Sequence, residues 1–255
     1  MRNRIIKILL LIFYLESLAT QPNNVAPFLV GEKLVFDVKW GFIVAGEAVM
    51  SIPSYDTIFG KQVYHTNFLV NSTPTFSMFY VVKDRYDSFI DSQEYYSLKF
   101  EQVIREGKYK RDFRATFNYK ENIAQTNFGD FPITTYVQDV LSAFYFSRTI
   151  DYTNYKPGQK IYLNNFYKDK THPLEVKFIG RETIKVEAGT FRCIVIEPFM
   201  KEGALFKSEG RVLVYMSDDE KKIPVMVRTK VLIGSVDAEL REYSGVNGKL
   251  TAKVK

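Results

Sequence analysis

Apolar and polar side chains alternate with a period of two along much of the chain, most clearly over residues 109–120. One side of this run carries, in order, Tyr109, Arg111, Phe113, Ala115, Phe117 and Tyr119. The opposite side carries only charged residues, threonine and asparagine. Successive side chains of a β-strand point to opposite faces, so this pattern is typical of strands with one dry face. Antiparallel sheets contain such strands, whereas parallel sheets covered on both faces give continuous apolar runs.

Similar runs recur at residues 33–40, 96–105, 174–178 and 236–241, with turns rich in Gly and Asp between them. Short strands at this spacing form a sandwich, a barrel or a curved sheet that partly closes. The sequence therefore predicts an all-β protein with one or two short helices, built as a large antiparallel curved sheet or half-open barrel.

One segment departs from the period of two. Val137, Val140, Leu141 and Phe144 stand at the i, i+3, i+4 and i+7 positions of an amphipathic helix. Thr135, with Gln138 three residues later, matches a capping box at the start of that helix. We therefore predict a helix that begins after Thr135 and covers the open face of the sheet.

The first residues have the order of a secretory signal. Arg2, Arg4 and Lys7 precede an apolar run over residues 8–15, and Ser17 and Ala19 supply the small residues of a cleavage site. The apolar run is shorter than the roughly 20 residues that cross a bilayer. We predict a signal peptide over residues 1–19, one β-rich domain over residues 20–255, and no transmembrane span after cleavage. The expected location is the periplasm or the outer envelope.

Residue types that carry catalysis are few. Cys193 is the only cysteine and lies in an apolar run, where a buried thiol is expected. His65 and His172 have no second histidine or cysteine at metal-ligand spacing. The sequence contains neither a Gly-x-Ser-x-Gly elbow nor a phosphate-binding glycine loop. We therefore expect no enzyme, no metal and no cofactor.

A basic and aromatic stretch covers residues 105–114, and the chain has a formal net charge of +6. Basic and aromatic residues on a sheet can bind single-stranded nucleic acid. Export argues against such a partner, and exposed strands commonly carry charge. We interpret the stretch as a solvated hairpin and expect no nucleic-acid partner.

Aromatic residues make up 15% of the chain, with 21 Phe, 17 Tyr and one Trp. They fill either a closed, bulky core or the lining of an apolar cavity. The cavity interpretation assigns ligand binding to Phe36, Trp40, Phe100, Phe113, Phe117 and Phe144. It places Arg111, the one charge on its strand face, at the mouth or beside a ligand headgroup.

Four stretches in order resemble the bacterial family catalogued as domain of unknown function 3108. They are GEKL, WG and AGEA within residues 31–48, DVLSAFYFSR at 139–148, VEAGTF at 186–191, and SDD, IPV and GSVDAEL within 217–240. The resemblance implies an exported protein without assigned catalytic residues. It also implies a curved half-barrel similar to that of periplasmic lipoprotein carriers, in which a sheet wraps an apolar cavity.

The leading hypothesis is an envelope protein that binds or chaperones a hydrophobic ligand, either a lipid or an acylated partner. The alternative is a non-enzymatic structural or assembly factor that contacts an envelope protein through a sheet edge.

Overall fold

The computed structural model describes residues 26–133, 135–200, 211–231 and 234–254, with the side chain of Met200 excepted. The predicted signal peptide and its cleavage site lie outside these residues. All the described strands belong to one sheet of fourteen strands in which every neighbouring pair is antiparallel, which confirms the predicted fold class. The strands are β1 Lys33–Trp40, β2 Ile43–Ile58, β3 Lys61–Ser72, β4 Lys83–Asp91, β5 Ser97–Glu106, β6 Tyr109–Asn118, β7 Ile123–Thr126, β8 Gly129–Pro132, β9 Lys160–Tyr167, β10 Lys170–Val186, β11 Gly189–Met200, β12 Val212–Ser217, β13 Pro224–Lys230 and β14 Ser235–Ser244.

The first strand, β1, lies in the middle of the sheet. Strands β1 to β8 follow one another to one edge, and β9 to β14 return from the other edge until β14 pairs with β1. Tight turns make this order, because antiparallel neighbours can be joined by two residues. Gly41 and Gly107 hold positive φ angles of 60° and 56° in two such turns, a conformation that glycine adopts without strain.

The sheet is strongly rolled. In a flat sheet, eleven spacings of about 4.8 Å would place β6 roughly 50 Å from β9. The ring centroids of Phe117 on β6 and Phe166 on β9 are only 5.4 Å apart. The two halves of the sheet therefore face each other, although its edge strands β8 and β9 are not paired with one another.

A short extended segment, residues 137–138, connects the two halves. The amide of Gln138 donates to the carbonyl of Asn164 at 2.7 Å, and its carbonyl accepts from the amide of Phe166 at 2.8 Å. The carbonyl of Val137 accepts from the amide of Ser97, at the start of β5, at 3.1 Å. These bonds satisfy part of the open edge of β9 and tie it to β5. We call residues 137–138 the strap.

The described residues contain two short helices, α1 (Pro74–Ser77) and α2 (Val140–Thr149). The prediction of α2 is confirmed, but its predicted start was wrong. Asp139, not Thr135, is the N-cap, and it forms a capping box with Ser142. The apolar Val137 belongs to the strap, so its match to the helical period was accidental.

Four buried apolar clusters form among the described residues, the smallest of them around Val63, Phe89, Tyr96 and Leu98. The largest includes Leu34, Phe36 and Tyr145. A second contains side chains of β10 to β12 with Tyr152, and a third lies between β5, β6 and β9. Helix α2 reaches the first two through Tyr145 and Ala143.

Strand pairing brings several turns to one end of the sheet. Gly46 pairs with Ser72, and Val82 pairs with Glu106, so the turn at residues 41–42, the α1 connection at 73–82 and the turn at 107–108 lie side by side. We call these three segments the rim. The turns at residues 59–60 and 119–122 lie at the opposite end, which we call the base.

Candidate functional site

Four of the seven predicted site residues lie together, three aromatic residues and Arg111. Phe100 on β5 and Phe113 and Phe117 on β6 are buried in the third cluster, and the ring centroids of Phe100 and Phe113 are 6.3 Å apart. Phe166 packs edge-on against Phe117 from β9. These rings therefore form part of the packed interior between β6 and β9.

The other aromatic residues of the predicted set lie elsewhere. Phe36 is buried in the largest cluster, and Phe144 on α2 is half-buried between the first and second clusters. Trp40, at the rim end of β1, is 46% exposed. The structure therefore divides the predicted site among the interior and the rim.

Arg111 lies on the inner face of β6, near the rim. Its guanidinium carbon is 5.3 Å from the ring centroid of Phe113 and 5.7 Å from that of Tyr167, the last residue of β9, across the roll. Such positions over two aromatic faces stabilise a cation through the ring quadrupoles. The side chain is half-buried, so its charge lies at the edge of the apolar interior.

The inner face of the sheet opens gradually toward the rim. Along β1, Leu34 and Phe36 are buried, Val38 is half-buried and Trp40 is exposed. The same change occurs on two other strands, from Tyr64 to Val70 on β3 and from Phe117 to Tyr109 on β6. Met50 pairs directly with Phe68, Phe68 with Tyr86, and Gln102 with Phe113. These side chains therefore lie on one continuous face of the sheet. A concave, half-open apolar surface results.

A pair of carboxyl groups lies beside this surface and was not predicted. Asp84 on β4 and Glu106 at the end of β5 hydrogen-bond to each other. Burial raises the pKa of Asp84, although the amide of Arg105 donates to it at 2.8 Å. Burial first, and the Asp84 charge second, raise the pKa of Glu106. The sequence contained a signal for this pair, since both acids occupy positions on the apolar side of their strands.

A second candidate site lies at the base. A cleft of about 610 Å³ is bordered by Tyr95, by α2 and by the turn after β12. Its charged lining includes Arg148, Asp151, Asp218, Asp219, Glu220, Lys221 and Lys222. Arg148 is already engaged, because its guanidinium binds both carboxylate oxygens of the buried Glu32, at 2.6 and 2.8 Å, and donates to the carbonyl of Lys221. We interpret this arrangement as the anchor of α2.

Chemically reactive groups are dispersed. Within the described residues, no three His, Cys, Asp or Glu side chains are close enough to hold a metal ion. His65 pairs with Asp87 at 2.9 Å and stacks on Phe89. Cys193 is fully buried on β11, and burial raises the pKa of its thiol to about 12. This thiol therefore has little of the thiolate character that reactivity requires.

A bilayer-crossing helix would need about 20 apolar residues. Over the part of the chain that the structure describes, no helix is long and apolar enough to cross a membrane.

Solved structures share the fold at low sequence identity. A β-barrel-like protein of domain of unknown function 1849 from Brucella abortus superimposes with a TM-score of 0.55 and 10% identity, over 85% of this chain and 98% of that chain. This similarity supports the fold alone.

Two further structures are more distant. They are a candidate lipoprotein from Parabacteroides distasonis, with a TM-score of 0.37, and a candidate exported protein with a YmcC-like fold from Bacteroides fragilis, with a TM-score of 0.35. Each is 11% identical to this chain, and each alignment covers 86% of this chain. The alignments cover 98% of the Parabacteroides chain and 97% of the Bacteroides chain.

No curated protein matches the chain. The profile of the protein family of unknown function DUF3108 matches residues 35–241, which is most of the sheet. The resemblance noted in the sequence is thereby confirmed, and the chain belongs to the DUF3108 family.

Proposed function

We propose that this protein is exported to the cell envelope and binds a hydrophobic ligand there. The ligand is an acyl chain of a lipid or of an acylated partner, and it lies on the half-open inner face near the rim. Binding is non-covalent and requires no cofactor. The proposal places the ligand closer to the rim than the sequence-predicted residues do, because Phe36, Phe100 and Phe117 are already buried.

The observation that carries this proposal is the gradual exposure of the inner face. Val38, Phe68, Val70 and Tyr86 are half-buried apolar residues of β1, β3 and β4, and their side chains share the inner face of the rolled sheet. Burying an acyl chain there would contribute about 0.8 kcal/mol per methylene. A chain of about twelve carbons would bind in the micromolar range once association costs are subtracted.

Charge at the mouth favours an acyl chain with an anionic head. Arg111 lies at the edge of the apolar surface and stays half-exposed. The Asp84–Glu106 pair lies nearby, and burial raises the pKa of both carboxyl groups. A fatty carboxylate or a lipid phosphate would therefore meet a cation at this position.

Displacement of a fluorescent fatty acid from delipidated protein tests the proposal. Val70→Lys, on the inner face of β3, should weaken binding about tenfold or more, because it places a charge in the acyl path. Leu69→Lys is the matched control, since Leu69 is equally half-buried but points to the opposite face. Absence of saturable binding by the unmodified protein, or equal losses in the two variants, would contradict the proposal.

Arg111→Gln tests binding of the ligand headgroup separately from binding of its acyl chain. We expect it to weaken binding of a long-chain carboxylate but to leave binding of the corresponding alcohol unchanged. Equal effects on binding of the two probes would show that Arg111 does not contact the headgroup.

Export is supported by the charged, apolar and small-residue order of residues 1–19. N-terminal sequencing of protein recovered from the envelope should give Thr20 as the first residue. Recovery of chains that still begin at Met1 would contradict cleavage.

The alternative function, assembly through protein contacts, is distinguished by mass spectrometry of co-purifying material. Bound lipid supports the ligand-binding proposal. A stoichiometric protein partner without lipid would favour the alternative.

A further inference from the structure

The rim exposes large apolar side chains on adjacent segments. In the turn between β1 and β2, Phe42 is 96% exposed and is flanked by Trp40, Ile43 and Val44, each at least 42% exposed. In the α1 connection, Phe79 is 83% exposed and stands among Met78, Tyr80 and Val81, which are also exposed. Apolar patches that a folded chain leaves in water usually mark a surface that binds something apolar.

Hydrogen bonds hold these side chains in place. The amide of Thr73 donates to the carbonyl of Ala45 at 2.9 Å, which joins the α1 connection to β2. The amide of Gly107 donates to the carbonyl of Val81 at 2.8 Å, which joins it to the third turn. A Cβ at Gly107 would lie 2.8 Å from the ring of Tyr80, so the contact between these segments is close. The three segments therefore form one connected surface.

The charges around this surface are mainly positive. Lys83, Lys110 and Lys230 are exposed at the rim end of their strands, and Lys108 is exposed in the turn between β5 and β6. Of the nearest acids, Asp84 is buried, Glu106 is half-buried against it, and the exposed Asp112 is paired with Arg105. Exposed aromatic residues beside lysines are typical of segments that lie at the interface of an anionic bilayer. Each lysine near such a surface adds electrostatic attraction.

We propose that the rim docks on a phospholipid bilayer that carries anionic headgroups. Phe42 and Phe79 enter the acyl boundary, and Trp40, Tyr80 and Tyr109 lie at headgroup level. The exposed lysines contact lipid phosphates. This orientation places the half-open inner face against the membrane surface, where an acyl chain could pass between the two. Docking does not depend on ligand binding, so it extends the proposed function and can fail separately from it.

Trp40 provides a reporter, because it is the only tryptophan of the chain and lies in the rim. Its fluorescence is titrated with vesicles of phosphatidylethanolamine and phosphatidylglycerol. The whole chain is used, and residues 1–19 are the same in every variant. The emission should shift to shorter wavelength and should be quenched by lipids brominated near the headgroup. Vesicles of phosphatidylcholine alone should require several times more lipid for the same shift.

Phe42→Ser combined with Phe79→Ser should raise the lipid concentration for half the Trp40 shift about tenfold or more. Phe59→Ser is the matched control, because Phe59 is 58% exposed in the turn between β2 and β3, at the base. Lys83→Gln with Lys108→Gln should weaken binding to the anionic vesicles only. Lys120→Gln, at an exposed base position, should leave it unchanged.

An unchanged Trp40 emission in the presence of anionic vesicles would overturn the proposal. So would an unchanged lipid concentration for half the Trp40 shift in the double Phe variant. A concentration-dependent dimer that this variant abolishes would assign the rim to a second copy of the chain instead. The fatty-acid displacement assay contains no vesicles, so its outcome bears on the proposed function and not on docking.

Discussion

Asp139 is a buried carboxylate whose surroundings explain where α2 begins. Its side chain accepts hydrogen bonds from the amides of Leu141 and Ser142, at 2.8 and 3.0 Å, and from the hydroxyl of Ser88, at 2.6 Å. Burial raises the pKa of Asp139, although these donors oppose the change. The residue thus connects the helix start with β4 on the inner face of the sheet.

Replacing Asp139 should destabilise the protein. Asp139→Ala removes the N-cap, which costs about 1–2 kcal/mol, and leaves the Ser88 hydroxyl without this acceptor. Thr135→Ala is the control, because Thr135 is exposed outside the helix, and we expect a change within about 0.5 kcal/mol. Denaturant midpoints measure the difference. Equal losses of unfolding free energy in the two variants would contradict the assignment of Asp139, rather than Thr135, as the N-cap.

The carboxyl pair at the rim predicts a pH dependence of stability. The pKa of Glu106 is raised above its ordinary value of 4.5, so the folded state favours the protonated form. Its contribution to stability is fully present below about pH 4.5 and is lost as the pH rises through the folded-state pKa. Glu106→Gln should therefore flatten the decline of the unfolding free energy above about pH 4.5.

The measurement is a series of denaturant midpoints at increasing pH, with Glu121→Gln, at an exposed turn position, as the control. A parallel pH profile for Glu106→Gln and the unmodified protein would show that the pair does not share a proton.

At the scale of elements, helix α2 is fixed at its C-terminal end by a buried ion pair. Arg148 and Glu32 are both almost completely inaccessible, and the Arg148 guanidinium also lies over the rings of Phe28 and Tyr145. Two charges in such a place stabilise the fold only as a pair, because either one alone would be buried without compensation.

Arg148→Met should therefore cost about 3–5 kcal/mol of unfolding free energy. Glu32→Gln with Arg148→Met should recover part of this loss, since it removes the unpaired charge. The matched control is Arg105→Met, which breaks the exposed Arg105–Asp112 pair and should cost at most about 1 kcal/mol. A loss for Arg148→Met as small as that of the control would contradict the anchoring role.

The elements that the sequence predicted are those with a local signal. Alternation located the strands, since the dry and wet faces of Tyr109–Asn118 follow directly from the residue order. The existence of α2 followed from Val140, Leu141 and Phe144. Its start could not be predicted, because Val137 bonds to the start of β5 and Gln138 bonds to β9, and both partners are distant in the chain.

The candidate site was harder to predict for the same reason. Alternation identified Phe36, Phe100 and Phe113 as inward-facing, which the structure confirms. Whether an inward-facing ring is enclosed or half-open depends on the roll of the whole sheet. That depends on pairings between β1 and β14 and on contacts between β6 and β9, which local patterns do not contain.

At the scale of the molecule, the strap holds the roll together. It supplies backbone bonds to β9 from one side and to β5 from the other, whereas the edge strand β8 is only four residues long. Exposed edges of large sheets invite pairing with other chains, so partial cover of β9 also limits such pairing at this edge. The strap bonds only to β9 and to the start of β5, so it leaves the rim end of the inner face half-open.

Gln138→Pro should open the strap. Proline removes the amide that donates to Asn164, while the extended conformation of the preceding residue remains allowed. We expect faster hydrogen exchange at the amides of Phe166 and Ser97, which donate to the strap, and little change on β12 and β13. Gln138→Ala is the control, because it keeps the backbone bonds and removes a buried side-chain oxygen that has no hydrogen-bond partner. Unchanged exchange at Phe166 in the proline variant, or equal acceleration in the alanine variant, would mean that the roll is maintained by side-chain packing between β6 and β9 rather than by the strap.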